Sequence, residues 1–135
     1  MEYDLLMHLP QGMMELRQAR AVFLETGNVI PFDYILEGIK ESVILNEKEL
    51  LTGLEMDQKK REQDIKVAQK NALETTKKGI EGKDFETMIA SNAQAVNEYS
   101  ARYTEIERNY MNDVIRSIAT YFNRPMEKAV EGEVE

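Results

Sequence analysis

The chain has no cysteine, no tryptophan and one histidine, His8, in 135 residues. Without cysteine there are no disulfides, no thiolate zinc sites and no thiol nucleophile. A lone histidine leaves no metal cage built on several imidazoles, and any Ser-His-Asp triad would have to use His8 itself. The Glu-x-x-His pairs of a di-iron carboxylate bundle are missing. The seven glycines stand singly, so there is neither a Gly-x-Gly-x-x-Gly turn nor a phosphate loop. Carboxylates are plentiful, but they alternate with lysine and arginine as on a solvated helix face, and no pair is marked as an acid/base dyad. The expectation is therefore a protein that is not an enzyme and carries no cofactor and no metal.

Long apolar runs are also missing. Nothing approaches the ~20 residues that span a bilayer. The N-terminal stretch MEYDLLMHLP is acidic where a secretory signal is basic. The expected location is cytoplasmic, with no membrane contact. Only three prolines interrupt the chain, and long stretches contain neither proline nor glycine, which favours long helices and an all-α fold.

What is present is a heptad. Phe85, Ile89, Asn92, Val96, Tyr99, Tyr103, Ile106 and Tyr110 follow one another at alternating steps of four and three, the a/d spacing of a coiled-coil seam. The pattern then shifts to Val114, Ile118 and Tyr121 or Phe122, and Asn123-Arg124-Pro125 reads as a stop. This predicts a helix over about 84–122. Upstream, Thr26-Gly27-Asn28 ends a first helix of about 3–26, in which Leu9, Met13, Leu16, Ala19 and Phe23 share a face. Pro31 opens a second helix of about 31–78 with Gly53 as its one interior weak point. A turn over 79–83 and a cap at Asp84 precede the last helix.

Folding the two long helices about that turn gives an antiparallel, coiled-coil-like helical hairpin, with the short N-terminal helix packed at its base. In one register Lys59 faces Glu105, Lys66 faces Glu98 and Lys78 faces Glu86, while Leu54 faces Tyr110, Leu50 faces Val114 and Ile65 faces Tyr99. At the base, Ile35, Leu36, Ile39, Val43, Leu50 and Leu54 meet Val114, Ile118, Tyr121 and Phe122. The other end relies on alanine and threonine, so the hairpin is expected to be completed by oligomerisation into a larger bundle. Residues 1–124 then form a single helical domain, and 125–135, MEKAVEGEVE preceded by proline, an acidic flexible tail.

The net charge is −8. It is unevenly spread: residues 1–54 carry four basic and nine acidic side chains, 55–83 eight and six, and 84–135 five and ten. The stripe Lys59, Lys66, Lys70 and Lys77 lies in the only basic stretch and is a candidate contact for a partner or an anion. Direct nucleic-acid binding is disfavoured, because the chain lacks an overall basic footprint. Eight methionines could soften a binding surface or fill core gaps.

These residues point to a non-enzymatic helical protein-protein interaction module: a self-associating adaptor, chaperone or assembly factor with an unidentified protein partner. Its interaction seam is Phe85, Ile89, Val96, Tyr99, Tyr103, Ile106 and Tyr110 with Ile65, Leu54 and Leu50. The alternative is a small acidic inhibitor that mimics nucleic acid and blocks a nucleic-acid-binding enzyme. Helical hairpins with a short extra helix recur in secretion chaperones, in phage assembly and adaptor proteins and in acidic inhibitors, but no motif here is diagnostic of any of them.

Overall fold

Gly27 takes a φ of 75°, in the left-handed region that a glycine enters without steric penalty. Its N–H donates to the Phe23 carbonyl (2.7 Å), closing α1 (Glu2–Thr26). The Asn28 N–H then donates to Thr26 Oγ1 (3.2 Å), and Asn28 Oδ1 accepts the Ile30 N–H (3.1 Å). That side chain starts α2 (Ile30–Val43), with Pro31 in its first turn. The computed structural model describes the backbone of residues 2–43, 48–81 and 84–134, and the side chains of residues 12–41, 48–81 and 84–122. Every element among the described residues is a helix, so the chain is all-α.

Of the helix expected over 31–78, the structure describes α2 and α3 (Lys48–Ile80), with Gly53 inside α3; residues 44–47 lie outside the described residues. One boundary differs from expectation. The last helix, α4 (Phe85–Val134), continues past Pro125 instead of stopping at Asn123-Arg124-Pro125. Proline removes one bond of the ladder, but the Glu, Lys and Ala that follow are good helix formers. The expected acidic tail over 125–135 therefore lies almost wholly within α4; its side chains, like that of His8, are outside the described residues. At the other end of α4, Asp84 Oδ1 accepts the Thr87 N–H (2.8 Å) and the Asp84 carbonyl accepts the Met88 N–H (3.0 Å), as an N-cap requires.

The chain divides into two compact units, Met1–Gln58 with Arg108–Glu135, and Lys59–Glu107. In the first, all four helices give up an apolar stripe to one cluster. It takes Leu16, Ala19 and Phe23 from α1, Phe32, Leu36 and Ile39 from α2, Leu50 and Leu54 from α3, and Tyr110, Met111, Val114 and Ile118 from α4. Burying one such Leu, Ile or Phe side chain contributes about 1.5–3 kcal/mol. Ile35, Tyr121 and Phe122 pack around the cluster as the spacing predicts. Phe32 was not anticipated: it is fully buried and meets Tyr110 edge to face, ring centroids 6.2 Å apart. Polar ties join the same helices, Arg20 Nε donating to Asn112 Oδ1 (2.5 Å) and Ser117 Oγ to an Asp57 carboxylate oxygen (2.8 Å).

The second unit is built differently. Its buried hydrophobic side chains among the described residues are Ala68, Ala95 and Ile106. A methyl group at Gly79 would overlap the Ser91 side chain, so α3 and α4 approach there at a distance that only glycine permits. The contacts also fall in a different register. A register that sets Lys59 opposite Glu105 places Glu107 opposite residue 57 and Gly79 opposite residue 85, whereas Glu107 meets Arg61 and Gly79 meets Ser91.

Two outcomes follow for unfolding experiments. Gly79→Ala should destabilise by about 1–3 kcal/mol, because Ser91 is held by its own helix and cannot yield without separating the pair. Gly53→Ala, where an added Cβ meets nothing within 4 Å, should stabilise by about 0.5–1 kcal/mol. Opposite signs in urea titration are the check. The hydrogen bonds from Thr87 hold the Asp84 carboxyl below the usual carboxylate range. Unfolded, the group binds its proton at higher pH, so its contribution is present above the unfolded value and lost as pH falls through the folded one. Asp84→Asn should flatten that acid limb in thermal melts taken across the carboxylate range.

Candidate interaction surface

Large side chains that cannot enter the close contact of α3 and α4 in the second unit lie outside it. Leu73 is 62% exposed, Phe85 74%, Ile89 54%, Val96 56% and Ile80 51%. Between the helices lies a groove of about 460 Å³ lined by Gln69, Ala72, Leu73 and Thr76 of α3 and Asn92, Ala95, Val96 and Tyr99 of α4. The lining continues along both helix surfaces, since Ile80 is four residues beyond Thr76, and Ile89 and Phe85 are three and seven before Asn92. The open face is thus a two-helix strip whose floor is small and whose walls are apolar.

The predicted seam is distributed between the units. Leu50, Leu54 and Tyr110 are core residues of the first. In the second, Ile106 is buried, Ile65, Tyr99 and Tyr103 are half-buried, and Phe85, Ile89 and Val96 are exposed. The Tyr99 and Tyr103 rings stack at a tilt of 33° with centroids 6.0 Å apart. Lys59, Lys66, Lys70 and Lys77 are all exposed. Glu105, expected to face Lys59, instead pairs with Arg102 (3.0 Å), and Glu98, expected to face Lys66, accepts from Gln94 (2.9 Å). Neighbours on the same helix won over partners on the facing one.

One buried polar group was missed. Glu107 is 1% exposed; its Oε1 accepts from Arg61 Nε at 2.6 Å, and its Oε2 is buried with no hydrogen-bond partner among the described residues. Its position immediately after Ile106 in the heptad was a signal, because that flank carries the charges that choose a partner helix. A second concavity, of about 260 Å³ in the first unit, is bordered by Glu49, Arg116, Ser117 and Tyr121. Among the described residues no three of His, Asp and Glu converge so as to hold a metal ion, and no helix is long and apolar enough to cross a membrane.

Compared with protein-family models, with curated proteins and with solved structures, the chain matches none.

The Arg61–Glu107 pair makes a specific prediction. Arg61→Met leaves Glu107 charged and buried, and should cost about 3 kcal/mol, the low end for breaking such a pair because Arg61 keeps 26% of its side chain in solvent. Adding Glu107→Leu should return most of that loss, since replacing both charges by apolar groups is close to neutral. A double-mutant cycle in urea reads the coupling directly.

Proposed function

We propose that the chain is a non-enzymatic helical protein-protein interaction module, working as an adaptor, chaperone or assembly factor, and that residues 59–107 act as an antiparallel, coiled-coil-like helical hairpin completed by self-association. The observation that carries this reading is the open apolar face of the second unit. Leu73, Ile80, Phe85, Ile89 and Val96 are each more than half exposed on one strip, while the buried hydrophobic side chains among that unit's described residues are two alanines and an isoleucine. Contiguous apolar strips of this kind mark association surfaces, and two such pairs laid face to face make a four-helix bundle. The acidic-inhibitor alternative has less support. Glu37, Glu105, Glu107 and Asp113, four of the 25 carboxylates, pair with Lys40, Arg102, Arg61 and Arg116 and so are not free to imitate a phosphate track.

Light scattering tests it. The full chain should show a mass above the monomer at micromolar concentration. Leu73→Glu with Val96→Glu, both at exposed positions, should return it to monomer with helicity by circular dichroism unchanged. A wild-type chain that stays monomeric at tens of micromolar sinks the reading.

A further inference from the structure

The two edges of the groove are not alike. Lys66, Lys70 and Lys77 lie seven before, three before and four after Leu73, which makes all three its neighbours on the α3 surface. They are exposed, and none of them forms an ion pair with a described residue. Glu74 is four residues after Lys70 and three before Lys77, and Glu81 four after Lys77, so both neighbour the lysines, but they lie about 100° and 80° round from Leu73, on the side away from the groove. On the α4 side the residues bordering Val96 are Ala93 and Ser100, with Glu86 near the start of the helix. One edge of the groove therefore presents three lysines inward, with Glu74 and Glu81 outside them, and the other is nearly neutral.

The walls also restrict the form of an occupant. Both are α-helical, so their backbone groups are already bonded and offer an extended peptide nothing to pair with. A segment lying on this apolar floor must satisfy its own N–H and C=O groups, which a helix does. The strip runs from Gln69 to Ile80 on α3 and from Phe85 to Tyr99 on α4, about 17–21 Å at 1.5 Å per residue, so it accommodates about three to four helical turns.

We propose that this groove is a docking site for an acidic amphipathic helix of a partner protein, with its apolar stripe between Leu73 and Val96 and its carboxylates, on one flank only, along Lys66, Lys70 and Lys77. The proposal rests on the interaction-module reading above and names the partner's chemistry. A second copy is the poorer match for the cationic edge, because it brings the same lysine row to the same face. The acidic helix displaces self-association through the same face.

The test uses the full chain and two designed 18-residue helical peptides with the same leucine stripe, one flanked by glutamate and the other by lysine. Binding is read by fluorescence anisotropy and assembly by light scattering on the same samples. The glutamate peptide should bind about tenfold more tightly at low salt, as three exposed ion pairs at a few tenths of a kcal/mol each allow. Its advantage should shrink at about 0.5 M salt, where the screening length falls to a few ångströms. The surface variant K66E/K70E/K77E should invert the preference, and Leu73→Glu with Val96→Glu should abolish binding of both peptides. Equal affinities, or no inversion, would overturn the acidic specificity. No peptide binding by a chain that still self-associates through Leu73 and Val96 would overturn the proposal and leave the interaction-module reading standing, whereas no binding by a chain that is also monomeric would sink both.

Discussion

Two helices can approach only as closely as the side chains between them permit, and in the second unit those side chains are nearly absent. Gly79 against Ser91, with Ala68 and Ala95 among the few buried side chains, brings the α3 and α4 backbones together. Backbones that close leave no room for leucine, valine or phenylalanine at the contact. Leu73, Val96, Phe85 and Ile89 are displaced onto one side, and the groove between them is the geometric remainder. The exposed face is therefore a consequence of tight packing.

The first unit solves the same problem in the opposite way. There four helices meet, so each can present large residues to a centre that the others close, and Phe32 against Tyr110 fills the middle with two rings. Hydrophobic burial on that scale supports its own fold. A two-helix pair gains less, and Arg61 and Glu107 tie its helices together through a buried carboxylate, a kind of contact that is weak evidence for net stability. Among the described residues Oε2 of Glu107 is enclosed without a hydrogen-bond partner, and the carboxylate is held through Oε1 by Arg61.

Much of this was legible in the sequence. The glycine at 27, the Asn28–Pro31 entry and the Asp84 cap act locally, so their chemistry predicts their geometry without reference to the rest of the chain. The stripes Leu16-Ala19-Phe23 and Val114-Ile118 were also readable, because their spacing has one interpretation on a helix. Heptad spacing in α4 was less informative. It says which residues share a face, but Ser91 and Ala95 lie on the adjoining face, and small residues win a close contact even though they give little hydrophobic signal. The charge register failed for a related reason: Glu98 and Glu105 had neighbours three or four residues away on their own helix. Phe32 escaped notice because a residue in the first turn is buried or exposed according to the docking angle of its helix, which periodicity does not carry.

The contact at Gly79 also bears on how such a sequence can change over generations. At a position where a single methyl group overlaps the neighbouring helix, the permitted alphabet has one letter unless Ser91 changes first. The lysine edge, open to solvent, has no such restriction and can lose or reverse a charge in one step. The contact at Gly79 is thus confined to a narrow path of substitutions while the lysine rim is free to diversify, so the surface charge of the second unit can be rewritten without disturbing the helices that carry it.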